Sequence, residues 1–217
     1  MKGNGLFLME QIQLDKFQKT LIMDAEDNLI HGICVSNLTF LIAREMCLSD
    51  DMCYELALSG LLHDIGKLQL SRYLYGRAKE KFQVEEMKYM RMHSKLSYDI
   101  LRYYDLSPFV LDSILYHHEN YDGTGYPENL KGEDIPFGAR VMRVADTFTA
   151  LISDRPYRKA FDVETAMEIM IEDINCYDMK VFLAFQKVIH EQDTLDLIRE
   201  SKTVKSLIEL TNIYEGD

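Results

Sequence analysis

Two adjacent pairs of polar residues in this chain have side chains suited to metal binding or acid–base chemistry. His63 and Asp64 lie inside the apolar stretch Leu-Leu-His-Asp-Ile-Gly-Lys, and His117 and His118 stand directly before a glycine-rich loop. A buried imidazole or carboxylate without a polar partner costs several kcal/mol, so each pair requires hydrogen bonds or a metal ion. Taken singly, either pair fits a structural hydrogen bond about as well as a metal site.

Two further histidines favour metal binding. His31 and His93 fall on other predicted helices, so four helices would each present histidine toward a common core. Mixed imidazole and carboxylate ligands suit iron, manganese, zinc or nickel better than calcium. One zinc ion takes three or four protein ligands, and the larger set here favours two metals with Asp64 bridging them. Such a pair can clamp the attacking and leaving oxygens of a phosphoryl displacement. His190 lacks comparable neighbours and is expected to be structural or exposed.

The elements that position these residues are predicted to be helical. Apolar residues recur with helical spacing, and alternation with a period of two residues is scarce. The pattern predicts an all-α bundle, with 1–25 as a helical N-terminal segment and 26–192 as the main domain. It predicts 193–217 as a short C-terminal extension that fits a helix or a strand. Ser49 or Asp50, Ser107-Pro108 and Asp162 are expected to cap helices. The predicted helices are 29–47, 50–65, 84–104, 108–118, 136–151, 163–174 and 179–191.

Composition restricts the class of protein. The net charge of −12 argues against a protein that binds a nucleic-acid polymer through its general surface field. No apolar run is long enough to span a membrane, and the N-terminus lacks a secretory signal core. The four cysteines form no Cys-x-x-Cys pair, as expected for reduced thiols in a cytoplasmic protein. An anionic ligand would need a local positive centre, supplied by metal ions or by the basic cluster Arg140, Arg143, Arg155, Arg158 and Lys159.

Three segments together resemble the HD-GYP family, a bacterial branch of the HD-domain metal-dependent phosphohydrolases. They are Leu-Leu-His-Asp-Ile-Gly-Lys at 61–67, His-His-Glu-Asn-Tyr-Asp-Gly-Thr-Gly-Tyr-Pro at 117–127 and Val-Ala-Asp-Thr-Phe-Thr-Ala-Leu-Ile-Ser-Asp-Arg-Pro-Tyr-Arg-Lys-Ala at 144–160. The resemblance covers about 25–190. It implies an HD-domain helical bundle that carries two or three divalent ions, most often iron or manganese, with zinc or nickel as other candidates. It also implies hydrolysis of cyclic di-GMP to linear pGpG and, in some members, on to GMP.

The resemblance further implies a role for individual residues. Asp64 and Lys67 would be catalytic, with Lys67 stabilising charge on the phosphate oxygens. Asp27, one turn before His31, matches the acid that members with a third metal add, although an exposed acid fits it equally well. The implied metal ligands are His31, His63, Asp64, His93, His117, His118 and Asp146. The implied substrate contacts are Lys67, Gly125, Tyr126, Arg155 and Arg158.

Three departures from the family pattern keep other functions open. Thr149 replaces the usual aspartate, so a partner for Lys67 would be missing; the segment 72–81 lacks a Lys-Pro-Gly-like turn; and the sequence around Asp178 differs. The alternatives are a phosphohydrolase for another cyclic dinucleotide or nucleotide and a non-catalytic receptor or scaffold that binds the dinucleotide. The expected partner is a cyclic dinucleotide, with a homodimer or a regulatory protein partner left open and neither a nucleic-acid polymer nor a membrane expected.

Overall fold

The protein is a bundle of α-helices, as the hydrophobic pattern predicts. The computed structural model describes residues 4–74, 90–154, 158–191, 193–194, 196–197 and 200, with side chains from residue 25 onward and, in the first range, up to residue 70. Within these ranges there is no β-strand, and no helix is long and apolar enough to cross a membrane. In chain order the helices are α1 Asn4–Glu45, α2 Asp50–Leu62, α3 Ile65–Leu74, α4 His93–Leu101, α5 Pro108–Leu115, α6 Phe137–Leu151, α7 Val163–Glu172 and α8 Met179–Ile189.

The predicted capping residues begin three of these helices. The hydroxyl of Ser49 accepts the N–H of Met52 at the start of α2, and Ser107 accepts from Val110 at the start of α5. Asp162 accepts from the third residue of α7 in the same way. Each side chain satisfies one of the backbone donors that a helix leaves unpaired in its first turn, which fixes where the helix begins.

The core lies between α1, α6 and α8. Ile42 of α1, Phe148 of α6 and Phe185 of α8 are fully buried, and the rings of Phe148 and Phe185 meet edge to face with centroids 5.0 Å apart. α6 packs against both α1 and α8. Because its apolar face is buried in this core, α6 is a rigid support for the polar residues at its edge.

Glycines bring the helices that carry the polar residues close together. A Cβ on Gly32 of α1 would lie 2.7 Å from the carbonyl oxygen of Leu61, and one on Gly60 of α2 would lie 2.7 Å from the backbone nitrogen of Ser36. The N–H of Gly66 in α3 donates to the hydroxyl of Ser97 in α4 at 2.9 Å. The backbones of α1, α2, α3 and α4 therefore approach one another next to His31, His63 and His93.

Three predicted helix boundaries were wrong. The helix predicted to begin at Leu29 begins at Asn4, as α1. The helix predicted over 50–65 breaks at His63 and Asp64, which form a turn between α2 and α3. The helix predicted over 84–104 is interrupted by a turn at 91–92, and α4 begins at His93; residues 75–89 lie outside the described part. The first turn contains two predicted site residues and the second directly precedes one, and apolar periodicity alone does not locate a break at such polar positions.

Candidate metal centre

Seven predicted ligands come together from five parts of the fold. His31 lies on α1, His63 and Asp64 in the turn between α2 and α3, and His93 at the first position of α4. His117 and His118 lie in the turn after α5, and Asp146 lies on α6. All are buried except His118, which is partly exposed.

The ligand atoms of these residues form three overlapping groups. In each group the atoms lie within 4.8 Å of one another, and the groups are His31, His63 and Asp64; His63, His117 and Asp146; and His93, His117 and His118. Because His63 and His117 each belong to two groups, the cluster is continuous. Its extent exceeds the three or four ligands of a single tetrahedral ion and is compatible with more than one ion.

Backbone carbonyls fix the orientation of three of the imidazole rings. Nδ1 of His63 lies 2.8 Å from the carbonyl oxygen of Gly60, and Nδ1 of His117 lies 2.6 Å from that of Ile114. Nδ1 of His93 makes the same contact with the carbonyl of Met90. A carbonyl oxygen only accepts hydrogen bonds, so each Nδ1 carries the proton and each Nε2 presents a lone pair to the cluster.

The resulting arrangement of lone pairs requires a cation. Nε2 of His93 lies 3.2 Å from Nε2 of His117 and 3.0 Å from Nε2 of His118. With Nδ1 protonated on His93 and His117, the first of these contacts places two lone pairs against each other. Among the described residues, Nε2 of His63 and Oδ1 of Asp64 are buried without a hydrogen-bond partner. Divalent ions would satisfy all of these atoms, so the donor set fits metal ions of the imidazole- and carboxylate-binding class.

The charges of the cluster favour the same interpretation. Burial opposes ionisation of Asp64, but His63 and Lys67 outweigh it and hold the pKa of the carboxyl well below its usual value. The hydrogen bond from His31 Nε2 to Asp146 Oδ1, 2.9 Å long, likewise outweighs burial and lowers the pKa of Asp146. Burial lowers the pKa values of His117 and His118 well below the usual value, whereas at His63 burial is outweighed by the Asp64 carboxylate, which raises the pKa. Anionic carboxylates and neutral imidazoles are the forms that bind metal ions.

Lys67 has a carboxylate partner even though Thr149 replaces the family aspartate. Its Nζ donates to Oδ2 of Asp64 at 2.5 Å, one turn away at the start of α3. Thr149 is buried in α6. The expectation that Lys67 would lack a partner was therefore wrong, because Asp64 supplies one.

A cleft opens onto one side of the cluster. Its volume is about 280 Å³, and it is lined by Lys67, Met90, Arg91, His93, His118 and Tyr126. The ring of Tyr126 stacks on that of His118, with centroids 4.7 Å apart and 26° between the planes. Burial raises the pKa of the Tyr126 phenol, so this wall of the cleft is uncharged at neutral pH.

The glycine loop that carries Tyr126 is held by a residue that sequence reasoning missed. Glu119 is 1% exposed, and its two carboxylate oxygens accept the N–H groups of Glu128 at 2.7 Å and Leu130 at 3.1 Å. Gly125 packs so closely against the backbone of Glu119 that a Cβ would meet it. The acid directly after the histidine pair is the sequence feature that could have indicated this role. Gly125 thus shapes the loop and is not among the residues that line the cleft.

Of the remaining predicted site residues, the two that the structure describes, Arg158 and Asp27, are not brought to the cluster. Arg158 donates to the carbonyls of Ala150 and Leu151 at the end of α6, both at 2.9 Å, and does not line the cleft. Arg155 lies outside the described residues. Asp27 is exposed and belongs to none of the three ligand groups. His190 is exposed at the end of α8, as expected.

Comparison with known proteins identifies the family. The HD domain family matches residues 10–181. The chain is 36% identical over 165 residues to a cyclic di-GMP phosphodiesterase of Pseudomonas aeruginosa, covering 76% of this chain and 40% of that protein. It is 36% identical over 163 residues to 3'3'-cGAMP-specific phosphodiesterase 3 of Vibrio cholerae, covering 74% of this chain and 35% of that protein. Among solved structures, the HDG"Y"P protein Bd1817 of Bdellovibrio bacteriovorus shares the fold with a TM-score of 0.60 and 20% identity, over 76% of this chain and 54% of that one.

These similarities confirm the resemblance inferred from the sequence. The chain belongs to the HD-domain family, and its His-Asp and Gly-Tyr-Pro motifs are those of the HD-GYP type. It spans less than half the length of the two curated relatives named above.

Proposed function

We propose that this chain is a metal-dependent phosphodiesterase that hydrolyses cyclic di-GMP to linear pGpG and further to GMP. The observation that carries the proposal is the convergence of five histidines and two ionised carboxylates on one buried cluster beside a cleft, with Nε2 of His63 and Oδ1 of Asp64 lacking a hydrogen-bond partner among the described residues. The donor set suits two divalent ions. Iron or manganese is the expected metal, and zinc or nickel is the alternative. The proposed ligands are His31, His63, Asp64, His93, His117, His118 and Asp146.

The metal ions and the chain have separate tasks in this proposal. Divalent ions bound there supply Lewis-acid stabilisation of phosphate charge and a nucleophile generated from water at neutral pH. Lys67 lines the cleft and is held by Asp64, so its ammonium group is positioned to stabilise developing charge on a phosphate oxygen. Tyr126, stacked on His118, forms an uncharged wall against which the substrate is oriented.

A second substrate is supported by a relative of equal sequence identity. The Vibrio cholerae protein named as specific for 3'3'-cGAMP and the Pseudomonas aeruginosa protein named for cyclic di-GMP are each 36% identical to this chain. The mixed dinucleotide is therefore the alternative substrate of the same site. The third alternative, a receptor without turnover, is disfavoured because all seven ligand positions are occupied by His or Asp.

The test is an assay of metal-loaded protein, purified without oxygen, on each cyclic dinucleotide separately, with products resolved by chromatography. We expect turnover of cyclic di-GMP and a metal content near two ions per chain by elemental analysis. Asp64→Asn should reduce kcat by more than the roughly 10- to 100-fold that outer-shell changes typically cause. His190→Gln, a substitution of an exposed histidine, serves as the control and should leave metal content and kcat unchanged.

The outcomes separate the alternatives. Hydrolysis of 3'3'-cGAMP alone would select the second substrate, and tight binding of either dinucleotide without products would select the receptor. Protein that neither retains metal nor acts on either substrate would overturn the proposal.

A further inference from the structure

Arg91 occupies a position at the cleft that no motif predicts. It lies in the turn directly before α4, two residues from His93, and lines the cleft together with Lys67 and Tyr126. Its guanidinium carbon lies 5.5 Å from the centroid of the Tyr126 ring. The aromatic ring attracts the cation and restricts where an otherwise exposed side chain can place its five N–H donors.

The basic cluster predicted from the sequence as a positive centre is engaged elsewhere at the four members that the structure describes, Arg155 lying outside the described residues. Arg140 pairs with Asp178 at 2.6 Å, and Lys159 pairs with Asp154 at 3.1 Å. Arg143 donates to the side-chain oxygen of Asn120 at 2.8 Å. Arg158, as described above, donates to carbonyls at the end of α6. None of these four residues lines the cleft.

Of the two cations that do line the cleft, Lys67 is paired with Asp64. Among the residues that the structure describes, no carboxylate forms an ion pair with Arg91, and its guanidinium lies over the ring of Tyr126 in the lining of the cleft. The positive charge at the mouth of the cleft is therefore that of Arg91. In a chain with a net charge of −12, a local positive charge favours the entry of an anion.

We propose that Arg91 binds the phosphate of the cyclic dinucleotide that is not being cleaved. This inference rests on the proposed function, in which the other phosphate lies at the metal centre. A cyclic dinucleotide carries two phosphodiesters, and a guanidinium fork matches the geometry of a phosphate with two parallel hydrogen bonds. Arg91 thereby contributes to affinity for substrates with a second phosphate and takes no part in the chemical step.

The test compares Arg91→Gln with a matched control. Arg102→Gln removes the same charge from another arginine that lies over a tyrosine ring, 5.1 Å from that of Tyr103, and Arg102 does not line the cleft. For the cyclic dinucleotide that the wild type hydrolyses, Arg91→Gln should raise KM by about 10- to 100-fold, the range for loss of charge-assisted hydrogen bonds. We expect kcat to stay within about twofold, because the metal centre and Lys67 are intact.

Two further measurements define the role of Arg91. With bis(p-nitrophenyl) phosphate, which has one phosphodiester and no second phosphate, Arg91→Gln and the wild type should have the same kcat/KM. Arg91→Lys keeps the charge but loses the fork, so its KM should fall between those of the wild type and Arg91→Gln. Arg102→Gln should match the wild type with both substrates.

The outcomes distinguish failure of this inference from failure of the proposed function. A KM for Arg91→Gln equal to that of Arg102→Gln would overturn the role of Arg91 while turnover by the wild type stands. An equal loss of kcat/KM on both substrates would also overturn it, since the effect would then not depend on a second phosphate. If the wild type hydrolyses neither dinucleotide, the proposed function fails. The role of Arg91 is then tested by binding alone, with the dissociation constant for cyclic di-GMP measured by calorimetry for Arg91→Gln and Arg102→Gln.

Discussion

The Nε2 atoms of His93 and His117 lie 3.2 Å apart, although one residue begins α4 and the other follows α5. His93 donates its Nδ1 proton to the carbonyl of Met90 and His117 donates its own to that of Ile114, so both Nε2 atoms offer only a lone pair to this contact. Burial also lowers the pKa of both imidazoles, which keeps them from relieving the contact by protonation. The two elements are therefore held together at a point where a cation is the natural partner.

The first prediction concerns removal of metal. Because bound ions would satisfy atoms that are otherwise buried against one another, chelation should destabilise the fold. Ligand at 100 times its dissociation constant stabilises a protein by about 2.7 kcal/mol, which corresponds to a rise in Tm of roughly 5–10 °C for a chain of this size. Calorimetry on chelated protein, with and without added Mn²⁺, measures the difference. Equal Tm values, with elemental analysis showing bound manganese, would contradict the prediction.

The second prediction concerns Glu119. Glu119→Gln replaces one acceptor oxygen by an NH₂ group, which would face a backbone N–H of Glu128 or Leu130. A buried donor left without an acceptor costs about 1–3 kcal/mol, so we expect a loss of that size in the free energy of unfolding, measured by urea titration. KM should also rise, because the same loop places Tyr126 against His118.

Glu133→Gln is the control for this substitution, since Glu133 is an exposed acid in the segment that follows the loop. It should leave both the free energy of unfolding and KM unchanged. If Glu119→Gln behaves like the control, the carboxylate does not hold the loop.

The sequence predicted the helical class, the caps and the seven clustered residues, but not every residue at the cleft. Short-range patterns carry the first two: Ser49 and Ser107 act on their own helices, which spacing alone can show. The direction of a long side chain depends on elements distant in sequence. The side chain of Arg91 lines the cleft because the turn before α4 packs beside Tyr126, which is 35 residues further along the chain. For the same reason, a motif did not reveal that the Arg158 side chain turns toward the end of α6.

The third prediction concerns the crossing of α1 and α2. In an exposed helix, Gly60→Ala would be favourable by about 1 kcal/mol. Here the new Cβ would lie 2.7 Å from the backbone nitrogen of Ser36 and 2.8 Å from its Cα, and backbone atoms cannot move aside as a flexible side chain can. Overpacking costs about 1–3 kcal/mol, so we expect a net decrease in the free energy of unfolding, measured by urea titration. Metal content should fall as well, because the crossing places His31 beside His63, with ring centroids 5.2 Å apart. An increase in stability would show that the helices can separate at no cost.

The fourth prediction sets the structural role of Arg158 against the substrate-binding role that the family resemblance implies. Arg158 donates to the carbonyls of Ala150 and Leu151, which have no partner within α6, and its guanidinium carbon lies 4.3 Å from the Phe161 ring centroid. Hydrogen bonds from a charged donor contribute about 1.5–3 kcal/mol, so Arg158→Gln should lower the free energy of unfolding by that order. KM for the dinucleotide should change by less than about twofold, in contrast to the increase expected for Arg91→Gln.

Lys159→Gln, at a highly exposed neighbour, controls for the lost charge and should alter neither the free energy of unfolding nor KM. A large increase in KM without loss of stability would instead assign Arg158 to the substrate.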